Sequence, residues 1–417
     1  MAWILDFVYA LLALVSSPVW LIRMIATGKI KTDWKARFGR TDPLPSADPG
    51  RPRVLLHAVS VGEVNAIRQL VAQLAPRFDV VVATTTDTGT RRARTLYSES
   101  HHVVRYPFDF SWCVKRFLAA INPDVVGLVE LEVWPNFTRE CRRRHIPVAV
   151  VNGRLSAGSF KGYRRIRPLI RPMFRRLTAV AAQDETIARR FTDLGVPRSA
   201  VQVLGTMKWD TAEIADTVAG TDDLARAFGP ALRAGCHVVV AGSTGPGEER
   251  LIARCIPPDV TLILVPRKPE RFDEVAAAFP GCIRRSRATD DATADARICL
   301  LDTIGDLRAA CCLADLVIVG RTFNNQHGSD MIEPIALGKA VVVGPDVSNF
   351  ESVARAFIDA NAMVQVHDEA ELKREVGDLL SDPQRRDMLG QRGRDVIRSH
   401  LGTTEAHVDM ITSLLTQ

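Results

Sequence analysis

The 417-residue chain has no repeat with a period of 20–50 residues and no low-complexity tract, which argues against solenoids and repeat arrays. Its eight cysteines (Cys113, Cys141, Cys236, Cys255, Cys282, Cys299, Cys311 and Cys312) include no CxxC pair, and no Cys/His cluster has zinc spacing. That pattern fits reduced, mostly buried thiols in a cytosolic domain and argues against a disulfide scaffold or a zinc module. No basic patch is interleaved with aromatics, and no nucleic-acid module is recognisable. No glycine-rich loop carries the lysine and hydroxyl of a P-loop, so nucleotide hydrolysis is not indicated. Long apolar runs are also scarce. The one exception is at the N-terminus.

What is there fits a globular protein of about two domains. Apolar residues make up 47% and charged residues 24%, enough to bury large cores. The net charge of +6 and pI near 9.0 favour anionic partners without naming one. Residues Ala2–Ile22 (AWILDFVYALLALVSSPVWLI) approach the ~20 residues needed to cross a bilayer, although Asp6 and Pro18 interrupt the run. Arg23, Lys29, Lys31, Lys35, Arg37 and Arg40 follow, opposed only by Asp33, as on the cytoplasmic flank of a membrane segment. The reading is an uncleaved anchor, spanning or partly inserted, with Thr41–Pro52 as a hinge to the catalytic body.

Beyond it, short apolar runs alternate with helical stretches. The first series is Val54–His57, Val80–Thr84, Val125–Val129, Val148–Val151 and Ala179–Ala182. The second is Val238–Ala241, Leu262–Val265, Ile298–Leu301, Leu316–Val319, Ala340–Val343 and Met363–Val366. Both predict buried parallel sheets. The fold expected is α/β, with two doubly wound, Rossmann-like domains facing a cleft and an N-terminal anchor helix. The division is 1–40 for the anchor and basic flank, 41–215 for an acceptor domain and 216–417 for a donor domain. Ligands in such sheets bind beyond the carboxyl ends of the strands.

Glu63 stands in the first turn of a helix that follows Val54–His57, with Ser60 and Gly62 in the same loop. There it could take a proton from an attacking hydroxyl, its ionised form favoured by the helix end, or it could simply cap the helix. Thr84–Gly89 (TTTDTG) offers hydroxyls and a glycine suited to sugar or phosphate. Glu130 and Glu132 would share one face if their segment stays extended; they could bind sugar hydroxyls, or one could pair with Arg154. Phe160–Leu177 carries seven basic residues and no acid. Ile166, Leu169, Ile170, Met173, Phe174 and Leu177 fall on one side of its helix, and Pro168 and Pro172 would kink or divide it. It is either a lipid-facing basic surface or a solvated arginine face over an ordinary core.

In the second series, the Gly242–Glu249 turn (GSTGPGEE) can bring amides near a phosphate. Arg267 and Lys268 stand at a strand's carboxyl end, and Asp302–Leu307 (DTIGDL) repeats the pattern. Glu333 lies in the first turn of a helix starting near Asp330, where a carboxylate can accept hydrogen bonds from ribose hydroxyls and the helix end can meet a phosphate.

Together these segments resemble the family of bacterial transferases that add Kdo (3-deoxy-D-manno-octulosonic acid) to lipid A precursors. The likeness runs along nearly the whole chain. It is carried by the anchor, HAVSVGE (His57–Glu63), TTTDTG, YPFD (Tyr106–Asp109), ELEVWPN (Glu130–Asn136), NGRLS (Asn152–Ser156), GTMKWD (Gly205–Asp210), PRKPERF (Pro266–Phe272) and the Glu333-Pro334 helix. The resemblance implies a GT-B fold, a CMP-Kdo donor, a lipid A precursor as acceptor, inversion at the anomeric centre, and neither metal nor other cofactor. It implies Glu63 as general base. Ser60, Gly62, Glu130, Glu132 and Arg154 would lie on the acceptor side. Pro266, Arg267, Gly305, Asp306, Leu307, Asp330, Met331, Ile332 and Glu333 would hold CMP. It also implies an inner-membrane enzyme with its catalytic domains on the cytoplasmic side. The chain departs from the family where members have histidine and it has Gly245, Lys268 and Ser329, and where they have asparagine and it has Asp330. The alternatives are a GT-B transferase for another nucleotide sugar, a sugar-nucleotide epimerase, and a non-catalytic envelope-assembly protein.

Overall fold

The computed structural model describes residues 2–26, 32–48, 50–229, 231–232, 235–287 and 296–415. Lys29 and Lys31 of the basic flank, and the side chain of Arg23, lie outside the described residues.

The chain forms two compact units, residues 1–210 with 402–417, and residues 211–401. Each holds one seven-stranded, fully parallel sheet. In the first unit the strands are β1 (Arg53–His57), β2 (Asp79–Thr84), β3 (His102–Arg105), β4 (Val125–Val129), β5 (Val148–Gly153), β6 (Ala179–Ala182) and β7 (Val201–Val203), in the order β3-β2-β1-β4-β5-β6-β7. In the second they are β8 (Val238–Thr244), β9 (Thr261–Pro266), β10 (Ile283–Arg284), β11 (Ile298–Leu300), β12 (Leu316–Val319), β13 (Ala340–Val343) and β14 (Val364–Gln365), in the order β10-β11-β9-β8-β12-β13-β14.

The eleven apolar runs of the sequence all become strands. The three that the sequence hid are β3, β7 and β10, which are short. β7 and β10 are sheet edges, β7 with only exposed or half-buried residues and β10 with one half-buried, and β3 is the opposite edge of the first sheet. An edge strand needs only one paired side and no continuous apolar run, so its signal is weak.

Both faces of the first sheet are buried. Leu55, Val81, Val126 and Val150 meet Phe117, Phe137, Phe174 and Phe191 on one face, while Val54, Leu56, Val80 and Val82 meet Ile67, Leu70, Leu74 and Ile411 on the other. Each such side chain contributes about 1.5–3 kcal/mol by leaving water. Ile411 belongs to the last helix, Thr403–Ser413, so residues 402–417 join the first unit and not the donor domain expected for 216–417. Two of the sequence motifs hold that helix. The Asp210 carboxylate accepts from the amides of Gly402 (2.8 Å) and Thr404, and the Asn152 amide donates to His407 Nε2 at 3.0 Å. His407 is buried and its pKa is lowered, chiefly by burial, which keeps the ring a neutral acceptor.

Both sheets have a switch point, where strand order reverses, between β1 and β4 in the first unit and between β8 and β12 in the second. A crevice opens there between loops that leave in opposite directions, and ligands of such sheets bind in it.

Candidate functional site

Glu63 sits at the first unit's switch point, in the loop and helix start that follow β1. Ser60 caps the helix Val61–Ala66, its hydroxyl accepting from the Glu63 amide at 3.4 Å. The Glu63 carboxylate accepts in turn from the Val59 amide (2.9 Å) and the Ser60 hydroxyl (2.8 Å). This is a Ser-x-x-Glu capping arrangement, so the capping role is present. The ionisation is not what a helix end alone would give. Burial pushes the Glu63 pKa up from 4.5 to about 7, with Glu130 and Glu132 adding to it against the two hydrogen bonds. A carboxyl that titrates near neutrality can both hold and release a proton under working conditions.

The expected extended run Glu130–Glu132 does not form. β4 ends at Val129, and Glu130 turns with φ +60°, a left-handed conformation that non-glycine residues adopt at an energetic cost. The turn is held by the Glu130 amide on Val151 O (3.0 Å) and by the Arg154 amide on Glu130 O (3.3 Å). Arg154 thus meets this loop through its backbone amide. Glu132 accepts from the Trp134 indole at 3.0 Å, and its pKa is raised by burial and by Glu130. Gly62 is exposed beside them.

The Thr84 and Thr86 hydroxyls of TTTDTG are committed within the protein. Thr84 and Thr90 share a 2.7 Å hydrogen bond, Thr86 caps the helix Asp87–Tyr97, and its hydroxyl donates to Val59 O at 2.8 Å. A Cβ on Gly89 would stand 2.8 Å from that same carbonyl, so only glycine fits. The motif is a buttress for the Glu63 loop. Behind it, buried His57 stacks on Tyr106 at 3.6 Å, and burial holds its pKa down at about 3.

In the basic segment the helix divides at Ile166, between Ala157–Arg165 and Arg167–Phe174. Ile170, Met173, Phe174 and Leu177 are buried as expected. Ile166 and Leu169 are 48% and 75% exposed, among exposed Arg164, Arg165, Arg167 and Arg171.

In the second unit the organising group is one that sequence reasoning missed. Glu248 is fully buried and accepts from the amides of Gly245 (2.7 Å), Arg321 (2.5 Å) and Phe323 (2.9 Å), tying the loop after β8 to the loop after β12. The Gly-Pro-Gly before a Glu pair was its only sequence signal. Ser243 at the end of β8 and Arg321, Asn325 and His327 in the loop after β12 all have positive φ, a strained backbone at this junction. Arg267 is exposed after β9, its amide on Thr244 O at 3.0 Å. Gly305 (φ +106°) and Asp306 follow β11, and Leu307 approaches Gly242. These groups stand at the carboxyl ends of neighbouring strands. A cavity of about 250 Å³ is lined by Thr211, Glu213, Arg308, Asp330, Ile332 and Glu333, among others. Burial and Asp330 raise the Glu333 pKa. Met331 and Ile332 are buried and anchor the turn that carries it.

The four departures have local explanations. A side chain at Gly245 would collide with Gln326, whose amide occupies that place. The Ser329 hydroxyl donates to Ser243 O at 3.3 Å. Lys268 is exposed and 3.9 Å from Glu270. Asp330 accepts from the Ile332 amide at 2.8 Å, so a carboxylate already fills an amide of the helix end expected to meet a phosphate.

A family model described as 3-deoxy-D-manno-octulosonic-acid transferase (kdotransferase) matches residues 32–211. The 3-deoxy-D-manno-octulosonic acid transferase of Bordetella pertussis is 30% identical over 408 residues, covering 91% of each chain. The chain belongs to the Kdo transferase family. The Haemophilus influenzae transferase of the same name is 28% identical, covering 87% of each chain. Among solved structures, a glycosyltransferase from Rickettsia africae superposes with a TM-score of 0.62 at 10% identity, over 88% of this chain and 99% of that one. At that identity the likeness speaks for the GT-B fold alone. The Kdo transferase described here is thus a GT-B glycosyltransferase with two parallel sheets and an N-terminal apolar helix.

Proposed function

We propose that this enzyme transfers Kdo from CMP-Kdo to a sugar hydroxyl of a lipid A precursor of the lipid IVA type, with inversion, in lipopolysaccharide biosynthesis. Glu63 is the general base. It removes the acceptor hydroxyl proton as that oxygen bonds to the anomeric carbon, and the bond from that carbon to the CMP phosphate oxygen breaks, releasing CMP. The observation that carries the reading is the Glu63 carboxyl, half-buried beside Glu130 and Glu132 with its pKa pushed up to about 7. Pro266, Arg267, Gly305–Leu307 and the Asp330–Glu333 turn hold CMP, with Glu333 toward the ribose and Arg267 toward the phosphate, where a fixed cation stabilises the leaving charge.

The enzyme works at the cytoplasmic side of the inner membrane. This part of the reading is supported by the exposed apolar helix Ala2–Ala26, by Ile166 and Leu169 among arginines, and by the basic residues after the helix. A basic, partly apolar face suits an anionic lipid surface that also carries the acceptor.

The test is Glu63→Gln, assayed by mass spectrometry of a lipid A precursor incubated with CMP-Kdo. Loss of a general base costs about 10²–10⁴-fold in turnover, and CMP affinity should stay near wild type. Wild-type turnover by the folded variant would overturn the assignment.

A further inference from the structure

The apolar N-terminal helix carries two polar residues in its first turns, Asp6 and Tyr9, and both are used by the folded unit. The helix Ser111–Ile121 has Phe110 at its cap position and no cap of its own. Asp6 supplies one from outside, accepting from the Ser111 amide (2.8 Å) and hydroxyl. The helix Pro135–Arg143 likewise begins after Trp134 without a side-chain cap. Buried Asp109 supplies it, accepting from the amides of Asn136 (3.0 Å) and Phe137 (2.8 Å). The two carboxylates are bridged. Asn136 Nδ2 donates to Asp6 at 3.0 Å and to Asp109 O at 2.7 Å, and the Tyr9 hydroxyl donates to Asp109 at 3.1 Å. The Tyr9 ring also packs edge-on to Phe110, centroids 5.9 Å apart. Asn136 lies in the first turn of the Pro135–Arg143 helix, directly after the loop that carries Glu130, Glu132 and Trp134.

We propose that Asp6 and Tyr9 are positioning residues for transfer: through Asn136 and Asp109 they hold the start of the Pro135–Arg143 helix and so fix the Glu130–Trp134 loop before it beside Glu63. The anchor helix is therefore part of the acceptor-side machinery as well as an attachment to lipid. The inference rests on the reading of Glu63 as general base. The physical link is electrostatic. The Glu130 and Glu132 charges help to keep Glu63 protonated up to neutrality, and a loop that drifts away weakens that effect. Burial of Asp109, whose pKa is raised to about 6, makes the latch sensitive to the loss of any one donor.

The experiment uses full-length enzyme in detergent micelles with CMP-Kdo and a lipid A precursor, comparing Asp6→Asn, Asp6→Leu and Tyr9→Phe with wild type and Glu63→Gln. Misplacing a catalytic constellation by about 1 Å costs on the order of 100-fold, so turnover in Asp6→Leu should fall roughly 10–100-fold. Tyr9→Phe should fall less, Asp6→Asn should recover part of the loss, and the donor KM should not move. The acid limb of the pH–rate profile should shift downward in the variants. Folded Asp6→Asn and Tyr9→Phe proteins with wild-type turnover and an unmoved acid limb would overturn the proposal. So would a turnover loss with an unmoved acid limb, which marks ordinary destabilisation. An active Glu63→Gln protein would instead remove the reading beneath it.

Discussion

At the scale of single residues, the chemistry turns on how each carboxylate is housed. Glu63, in a capping position, is ordinary by sequence and unusual by burial. Its pKa of about 7 lies above the ordinary 4.5. Between those values the folded chain keeps a proton that the unfolded chain has lost, so its contribution to stability declines as pH rises from about 4.5 to 7. Glu63→Gln should therefore raise the melting temperature relative to wild type more at pH 8 than at pH 5, while wild-type kcat/KM rises with pH through about 7. An equal difference in melting temperature at both pH values would show that the burial cost is absent. Lys268 and Asp330 make the opposite case. Opposed charges on two family departures invite a coupled reading, yet Asp330 caps the Ile332 amide and Lys268 stands exposed near Glu270. A double-mutant cycle on CMP affinity with Lys268→Ala and Asp330→Asn should be additive within about 0.5 kcal/mol. Strong coupling would mean that both side chains reach the phosphate.

At the scale of elements, the N-terminal helix is tied to the folded unit on both sides of its apolar middle. It runs unbroken from Ala2 to Ala26 through Pro18, and the carbonyl of Leu14 that Pro18 cannot serve receives the Ser17 hydroxyl at 2.7 Å. By length and apolarity it could cross a membrane. Its first turns are tied to the first unit through Asp6 and Tyr9. The chain meets that unit again where Thr32 bonds Asp87 at 2.9 Å and Arg37 bonds Thr85 O at 3.2 Å. The expected hinge is also laid down, with the Leu44 amide on Ala120 O at 3.0 Å and Pro45 O accepting from Arg53. With its first turns tied to the first unit and the chain meeting that unit again at Thr32 and Arg37, the helix is expected to lie along the membrane rather than to span it. Single cysteines at Trp3 and Ile25, in a cysteine-free background, should be shielded by lipid or modified from the cytoplasmic side only. Labelling of Trp3→Cys from the periplasmic side would show that the helix spans.

At the scale of the whole molecule, the proposed reading divides the work between the two units. Each has its own parallel sheet, its own switch point and its own cluster of loops there. Every group proposed to hold CMP lies between Pro266 and Glu333, within the second unit, while Asp6 and Tyr9 bond to the first. Removal of residues 1–24 should give a more soluble protein, since Trp3, Phe7, Leu12, Leu14, Val15, Val19 and Ile22 are all largely exposed. CMP affinity, measured calorimetrically, should stay near wild type while transfer is lost. Loss of CMP binding in the folded truncation would mean that the helix also supports the second unit.

The amino-acid pattern alone determined the central strands, since a strand buried on both faces must be apolar throughout and so announces itself, as Val125–Val129 and Ala340–Val343 do. It also determined the place of Glu63, because Ser-x-x-Glu after an apolar run is a local signal for a helix start at a strand's end. Three things belonged to the tertiary structure. Residues 402–417 join the first unit because His407 and Asp210 find their partners 255 and 192 positions away along the chain. TTTDTG is a buttress because its Thr84 and Thr86 hydroxyls meet Thr90 and the Val59 carbonyl, brought near by the sheet. The Glu63 pKa is raised because strand order sets β4 beside β1, bringing Glu130 and Glu132 to a carboxylate some 70 positions away. Burial and charge proximity are properties of neighbours in space, and only the fold chooses those neighbours.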